Sequence, residues 1–563
     1  MKKQKLRTGI AVLVAALALA ACGTTPGGGG SPLDIDLSTG VTLNVTVDDA
    51  ALRVTRYKAV YVSKPIAVKD GGAEANDFQS MYIYVPEHAA QDSAIILYVN
   101  NSGWQGWKAA ERVKDGDNLR SDENNAAAAA LKAGYVFVSA GGRGRQALGP
   151  AGAVPMQDMN GDYAGHSPAA VADAKAAVRY LRHNDKALPG SAERIFITGT
   201  SGGGGLSAAV GASGNSPDYY PYLYEIGAAG MTSANTSTIK DNVFGVIAYC
   251  PITDLDHADQ AYEWQYGDLR KDYAVTTDVK GISDGGTAGA AMLAASADLA
   301  ADYVSYFNSL GLKLEDGSAL TADRLHGAVA ALVKQEVEYA LKNVGVEKMF
   351  ASGTANIFVP VFNLQTSRTM IVERDNTWIK NINPQNGTAD IDYDAFRLFV
   401  AQNRSLKIAP AFDNAATPLE GPQNETNLFG AKDQQYANFE FWSWNNNNAT
   451  NDGIGKDDTG LAWNDFLASE NGKALAQQIK MSNPIPYLRS AAEGDSAPYW
   501  YIRYGLVDRD TSFAIETELY YAVKNAAGVK DVNFKIAWLQ PHSGDYDIPE
   551  AYAWAAQVMK EVK

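Results

Sequence analysis

The sequence predicts an α/β fold: a mainly parallel sheet with helices on both faces, interrupted by one large, mostly helical insertion. Three observations support this. Short apolar segments rich in β-branched residues alternate with helical segments in the first half of the chain, which is typical of a parallel sheet. The alternation stops between residues 262 and 490, where long helical runs such as 291–310 and 325–344 appear. It returns at residue 498.

Each predicted element follows from a local pattern. Before the insertion, the predicted elements are strands 57–62, 80–85 and 94–99, helix 123–133, strand 134–139, helix 168–183, strand 194–198, helix 206–212 and strand 244–250. After it they are strand 498–505, helix 512–526, strand 532–539 and helix 549–562. Ser167 is the predicted N-cap of helix 168–183, with Pro168 at its first position. We therefore assign residues 36–261 and 491–563 to one core and residues 262–490 to an inserted lid.

The N-terminus carries the pattern of a processing signal. Basic residues precede an apolar stretch, residues 10–19, which is too short to span a bilayer. This stretch ends in Leu-Ala-Ala-Cys at residues 19–22, which resembles a bacterial lipobox. We expect a signal peptide over 1–21, lipid attachment at Cys22 and a flexible tether over 22–35, so that the exported protein is anchored to a bacterial membrane. The alternative is an ordinary secretory signal.

Charge and cysteine content argue against a nucleic-acid partner and against a disulfide. The formal net charge of −16 argues against nucleic acid, because an acidic surface repels phosphates. The chain has only two cysteines, so lipidation of Cys22 leaves Cys250 as a buried, inert thiol without a disulfide partner. We expect a monomer that contacts the membrane only through its anchor.

A serine stands between a predicted strand and a predicted helix. Gly199-Thr200-Ser201-Gly202-Gly203 follows the apolar strand 194–198 and precedes a helix of small residues. This is the nucleophile elbow of the α/β-hydrolases, in which glycines avoid a Cβ clash across the turn. Ser201 is therefore the predicted nucleophile. A second match around Ser283 follows a polar segment, so its context is wrong for an elbow.

In that fold an acid and then a histidine follow the nucleophile along the chain. His542 lies in the loop after the last predicted strand, where the catalytic base belongs. Asp508 is the first acid after the preceding strand, so we predict that it orients the imidazole. Asp254, which follows strand 244–250, remains the competing acid.

Two backbone donors are expected to stabilise the oxyanion. One is the N–H of Gly202, directly after the nucleophile, and the other is assigned to Gly103 in the loop after strand 94–99. Two acidic segments could suggest metal sites, but both are typical of solvated loops. They are Asp254, Asp256, His257 and Asp259 in one, and Asp158 to Asp162 in the other. We predict no metal and no cofactor.

Longer motifs carry a more specific resemblance. They are GTSGGGGLSAAVGASGNSPDYYPYL at 199–223, AYCPITDLDHADQAYEWQYG at 248–267, LKIAPAFDN at 406–414, NETNLFG at 424–430, RYGLVDRDTS at 503–512 and QPHSGDYD at 540–547. On these motifs the chain resembles the bacterial tannases. The resemblance implies the same triad of Ser201, Asp508 and His542. It also implies that Lys407, Glu425 and Asp510 bind the hydroxyls of a galloyl ring through charge-assisted hydrogen bonds.

The resemblance therefore implies a serine esterase that hydrolyses galloyl esters. Segment 414–423 is a few residues longer than the family pattern, which affects the expected mouth of the site. Two alternatives stay open. One is a feruloyl or general aryl esterase with the same triad, and the other is a surface lipoprotein that binds polyphenols or glycans.

Overall fold

The computed structural model describes residues 31–69, 77–122, 125–149, 152–278, 283–351, 356–363, 368–413, 424–447 and 461–561. Its strands are β1 Val41–Val47, β2 Ala50–Val60, β3 Ser80–Pro86, β4 Ile95–Val99, β5 Asn118–Leu119, β6 Val136–Ala140, β7 Gln146–Gly149, β8 Gly152–Pro155, β9 Ile195–Thr200, β10 Met231–Ser233, β11 Thr236–Ser237, β12 Gly245–Tyr249, β13 Ser283–Asp284, β14 Thr287–Ala288, β15 Ile357–Asn363, β16 Arg368–Arg374, β17 Ile379–Asn383, β18 Thr388–Ile391, β19 Tyr499–Gly505 and β20 Asp531–Ala537.

The helices follow in the same chain order. They are α1 Ala126–Lys132, α2 Ala169–His183, α3 Gly202–Ala212, α4 Tyr220–Glu225, α5 Leu255–Tyr266, α6 Ala290–Ser309, α7 Ala322–Asn343, α8 Val346–Met349, α9 Tyr393–Asn403, α10 Phe441–Asn447, α11 Trp463–Ala468, α12 Glu470–Ser482, α13 Ile485–Arg489, α14 Phe513–Asn525 and α15 Ile548–Lys560.

One ten-stranded sheet organises the fold, with strand order β20-β19-β12-β9-β4-β6-β3-β2-β1-β5. The strands from β20 to β6 in this order pair in parallel, whereas β3, β2 and β1 pair antiparallel. The central strands are buried on both sides, as their continuous apolar sequences predict. The predicted mainly parallel α/β-hydrolase sheet is confirmed.

Helices cover both faces of this sheet. Helix α1 and the C-terminal helix α15 contribute to an apolar cluster on one face. Helices α2, α3 and α14 contribute to the larger cluster, which also contains residues of the inserted region. Because α1 and α3 consist largely of alanine and glycine, they can approach the strands closely. This close packing places the first residue of α3 directly beside the loop after β4.

The insertion occupies the chain between β12 and β19. Its long helices α6 and α7 match the predicted helical runs, but it also contains the two-stranded sheets β15–β16 and β17–β18. The prediction of a mostly helical region missed these hairpins. Helix α7 packs against β20 and α14 of the core. The insertion is therefore in contact with the last strand of the sheet and with the helix before that strand.

The start of α2 corrects one detail of the prediction. The helix begins at Ala169, and Pro168 occupies the cap position. The Ser167 hydroxyl does not cap the helix; it donates to the carbonyl of Gln478 at 2.7 Å, across to the insertion. The predicted signal peptide, Cys22 and most of the tether lie outside the described residues. Within the described ranges, no helix is both long enough and apolar enough to cross a membrane.

Candidate active site

Ser201 sits at the tip of a strained turn between β9 and α3. Its backbone has φ 62° and ψ −123°, a conformation that a non-glycine residue seldom adopts. Hydrogen bonds on both sides hold it there: its N–H donates to the carbonyl of Tyr249 at 2.9 Å, and its carbonyl accepts from Ile252 at 3.1 Å. The turn therefore has the geometry of a nucleophile elbow.

The two flanking glycines are required by close backbone packing. A Cβ at Gly199 would lie 2.5 Å from the carbonyl oxygen of Gly203. A Cβ at Gly203 would lie 2.9 Å from the carbonyl oxygen of Val99 at the end of β4. Both distances are shorter than real Cβ contacts, so the predicted reason for these glycines holds in the folded chain.

The structure brings Ser201, His542 and Asp508 together in one hydrogen-bonded series. The Ser201 hydroxyl lies 2.8 Å from Nε2 of His542, and Nδ1 of His542 lies 2.7 Å from Oδ2 of Asp508. Because the carboxylate can only accept, Nδ1 carries the proton and Nε2 is free to accept from the serine. Asp508 is completely buried, and its second oxygen accepts from the Asp510 N–H at 2.8 Å.

The electrostatics of the imidazole follow from this arrangement. Burial acts to lower the pKa of His542, but the negative charge and hydrogen bond of Asp508 outweigh it, and Asp510 adds to the effect. The net result is a pKa raised above the ordinary value of 6.5. A more basic imidazole accepts a proton from a serine hydroxyl more readily.

The predicted oxyanion donors meet across the loop after β4. Ser102–Trp104 forms a 3₁₀ turn in which Gly103 is left-handed, with φ 61°. A Cβ at Gly202 would lie 2.9 Å from the Gly103 nitrogen, so the two backbone amides are neighbours. The N–H of Gly202 begins α3 and has no acceptor within the helix. The carbonyl of Gly103 accepts from Nε of Arg145 at 2.5 Å.

Two of the three predicted ring-binding residues, Lys407 and Asp510, lie beside the triad. Burial lowers the pKa of the Lys407 ammonium, while the nearby charges of Asp510 and Glu425 oppose that effect. Its Nζ stands 4.3 Å from the ring centre of Phe412. Asp510 accepts from Arg404 at 2.8 Å and from Arg509 at 2.7 Å.

These residues are held in place by α5, the helix that follows β12. The Tyr262 hydroxyl accepts from the Lys407 N–H at 3.2 Å and donates to the carbonyl of Arg509 at 2.8 Å. The completely buried carboxylate of Asp259 accepts backbone N–H bonds from the segment 411–413. One helix thus ties the lysine segment to the loop that carries Asp508 and Asp510.

Glu425, the third predicted ring-binding residue, belongs to the 3₁₀ turn Asn424–Leu428 and is 8% exposed. This turn packs against the turn Ser102–Trp104. The Thr426 hydroxyl donates to Asp413 at 3.1 Å, which ties the turn to the segment of Lys407. The predicted set is therefore assembled around one end of the sheet. Segment 414–423 lies outside the described residues.

The other candidate residues lie elsewhere. Asp254 is bonded to His257, to Asn483 and to the Tyr306 hydroxyl, with no bond to His542. Ligand atoms of Asp254, Asp256 and His257 lie within 4.8 Å of one another, and Asp158 accepts the N–H groups of its own loop. Ser283 stands in the short strand β13, which turns back to pair with β14 rather than leading directly into a helix, so its sequence match is not an elbow.

Cys250 has a neighbourhood that the sequence did not reveal. Its thiol is completely buried, as predicted, and donates to the carbonyl of Ser543 at 3.2 Å. Sγ lies within 4.8 Å of ligand atoms of Asp508 and His542. Burial, with the charge of Asp508, raises the pKa of the thiol well above its ordinary value. The uncharged thiol of Cys250 therefore lies next to Asp508 and His542.

Comparisons with known proteins identify chains of similar sequence and fold. The family model described as BD-FAE matches residues 81–275. The crystal structure of Fusobacterium nucleatum tannase is 28% identical, with 93% of this chain and 99% of that chain covered and a TM-score of 0.66. The chain is a structural homologue of the bacterial tannases. No curated protein matches it.

Further tannase structures show the same likeness. The native tannin acyl hydrolase from Lactobacillus plantarum is 28% identical over 93% of this chain and 98% of that chain, with a TM-score of 0.69. A tannin acyl hydrolase in complex with ethyl gallate gives the same values. This tannase homologue therefore has the fold of a carboxylic ester hydrolase.

Proposed function

We propose that this tannase homologue is a serine esterase that hydrolyses galloyl esters to gallate and an alcohol. The observation that carries the proposal is the bonded series from Asp508 through His542 to Ser201. It is supported by the ethyl gallate complex of a structural relative. The sequence resemblance assigns the same three residues.

Ser201 Oγ attacks the ester carbonyl carbon while Nε2 of His542 takes the hydroxyl proton. The N–H groups of Gly202 and Gly103 donate to the resulting oxyanion, and Asp508 stabilises the imidazolium. Collapse of the tetrahedral intermediate breaks the bond to the alcohol oxygen, which leaves with the proton from His542. Water then repeats the sequence on the galloyl ester of Ser201, which releases gallate and restores the serine.

The ring-binding residues account for the proposed preference. A galloyl ring presents three adjacent hydroxyls, which need both donors and acceptors at close spacing. Lys407 supplies a donor, while Glu425 and Asp510 supply acceptors, and hydrogen bonds to charged groups are stronger than neutral ones. The negative charges of Asp510 and Glu425 both act on Lys407, which supports a common binding site.

The test compares three esters with purified protein that lacks residues 1–22. Methyl gallate should be hydrolysed much faster than methyl 4-hydroxybenzoate and methyl ferulate, and Ser201→Ala should abolish turnover while it retains gallate binding. Equal rates on all three esters would be consistent with a general aryl esterase and would refute the galloyl preference. Absence of turnover and of labelling by a fluorophosphonate probe would favour a polyphenol-binding protein.

We also propose that residues 1–21 direct export and that Cys22 carries the lipid that anchors a monomeric enzyme. The support is the lipobox-like run 19–22 and the Gly-rich segment after it. A long flexible tether would leave the catalytic domain free to meet soluble substrates above the membrane surface.

A further inference from the structure

A buried arginine holds the turn that carries Gly103, and that turn packs against the turn that carries Glu425. Arg145 is only 7% exposed. Its Nε donates to the Gly103 carbonyl at 2.5 Å, and its own backbone N–H donates to the carbonyl of Trp104 at 3.0 Å. The side chain and the backbone of one residue therefore both hold the turn Ser102–Trp104.

The charge of Glu425 affects the pKa of the same guanidinium. Burial lowers the pKa of Arg145, and the negative charge of Glu425 counteracts part of that effect. The two turns pack directly against each other, and Glu425 is itself 8% exposed. The turn that Arg145 holds is therefore in direct contact with the turn that carries the charge of Glu425.

The turn has a particular need for such support. Gly103 and Trp104 both have positive φ, at 61° and 55°, and this left-handed conformation strains the backbone at Trp104, which is not a glycine. Strain of this kind persists only where surrounding contacts hold it. A planar guanidinium holds its five N–H donors in a rigid fork, whereas an ammonium is a point charge on a flexible stem whose donors are not fixed in direction.

We propose that Arg145 is a positioning residue that fixes the Gly103 turn relative to Glu425. A ring held by Glu425 then places its ester carbonyl against the N–H groups of Gly202 and Gly103. The inference rests on the proposed function and deepens it. Arg145 acts through its two neighbours, and links recognition of the ring to stabilisation of the oxyanion.

The test uses two substitutions that separate these contributions. Arg145→Met keeps the apolar stem and removes the charge, whereas Arg145→Lys keeps a charge beside Glu425 but loses the planar fork. Each variant is assayed with methyl gallate and with 4-nitrophenyl benzoate, whose acyl ring has no hydroxyls. Titration with a fluorophosphonate counts the folded active sites. Arg120→Met, at an arginine side chain that is 59% exposed, is the matched control.

Arg145→Met should lower kcat by roughly 10- to 100-fold on both esters, because the oxyanion turn serves every ester. It should also raise KM for methyl gallate alone. Arg145→Lys should lower kcat on both esters while KM for methyl gallate stays near wild type. A residue with a purely structural role would not split kcat from KM in this way. In a Glu425→Gln background, the effect of Arg145→Met on KM should disappear.

Two results would overturn the proposal. One is wild-type kcat and KM per active site in both variants, and the other is an effect on KM that Glu425→Gln leaves unchanged. Failure of the galloyl preference is distinguishable from these results, because it would be evident in the wild-type protein. In that case the kcat effect on 4-nitrophenyl benzoate still tests the link from Arg145 to Gly103.

Discussion

Gly202→Ala should disable the enzyme, because the added methyl group enters the oxyanion turn. A Cβ at this position would lie 2.2 Å from the Trp104 nitrogen, 2.5 Å from the Asn101 carbonyl oxygen and 2.9 Å from the Gly103 nitrogen. All three are backbone atoms, which cannot rotate away. To restore a tolerable distance of 3.0 Å, the Trp104 nitrogen and its turn must move by about 0.8 Å.

A displacement of this size should be visible in the rate. Misplacement of reacting groups by 1 Å costs on the order of 100-fold, and loss of one oxyanion donor costs about 100- to 1,000-fold in kcat. We therefore expect kcat for methyl gallate to fall by roughly 100-fold, which is about 2.7 kcal/mol of transition-state stabilisation. Overpacking of the turn should destabilise the fold by about 1 to 3 kcal/mol.

The chain offers a matched control for this substitution. Gly327 lies within helix α7, and a Cβ there would meet nothing within 4 Å. Gly327→Ala should leave kcat unchanged and stabilise the protein by up to about 1 kcal/mol, as alanine does in helices. Steady-state kinetics and thermal unfolding of both variants give the comparison. A Gly202→Ala enzyme with kcat within a factor of about two of wild type would refute the oxyanion assignment.

Three further expectations follow from the same geometry. Asp508→Asn should lower kcat by about 10,000-fold. It should also shift the acid limb of the kcat/KM profile to lower pH: His542 must be neutral to accept the serine proton, and the Asp508 charge raises its pKa. An acid limb that stays at the wild-type pH or moves to higher pH would contradict the assignment of the raised His542 pKa to the Asp508 charge. Lys407→Met, which removes the ammonium that stands over the Phe412 ring and keeps an unbranched apolar side chain, should raise KM for methyl gallate by about tenfold or more and leave KM for 4-nitrophenyl benzoate unaffected. A similar rise for both esters would remove Lys407 from ring recognition. Cys22→Ser should move the protein from the membrane fraction to the soluble fraction without loss of esterase activity, and retention in the membrane would disprove the lipid anchor.

The sequence was sufficient to predict the three triad residues, because their order along the chain is fixed in this fold. Ser201, Asp508 and His542 each follow a recognisable apolar strand, and the carboxyl ends of parallel strands meet at one edge of the sheet. Their convergence could therefore be predicted from pattern alone. Lys407 and Glu425 could not, because isolated charges in an insertion are normally solvated; the longer motifs that carry the family resemblance were needed to single them out.

The remaining features depend on contacts between distant segments. Arg145 follows no motif, and its importance arises only when the turn of Gly103 packs against it. Ser167 stands before a proline and a helical run, but its hydroxyl bonds to Gln478 in the insertion, 311 residues away. The hairpins β15–β16 and β17–β18 lie within a region dominated by helical periodicity. Tertiary contacts decide all three, and local sequence does not encode them.

The insertion between β12 and β19 also affects when the enzyme can first become active during its synthesis. The strand and helix that present Ser201 are made early, but His542, the proposed base, comes 341 residues later. The strand before Asp508, β19, must then pair with β12 across the whole inserted region, and β20, the strand before His542, pairs in turn with β19; such distant pairing forms slowly. A nascent or truncated chain can therefore bury an intact elbow and still lack a base. Esterase activity should therefore appear only after the last strand has paired with the sheet. A chain that ends before residue 542 should be partly folded and have no esterase activity.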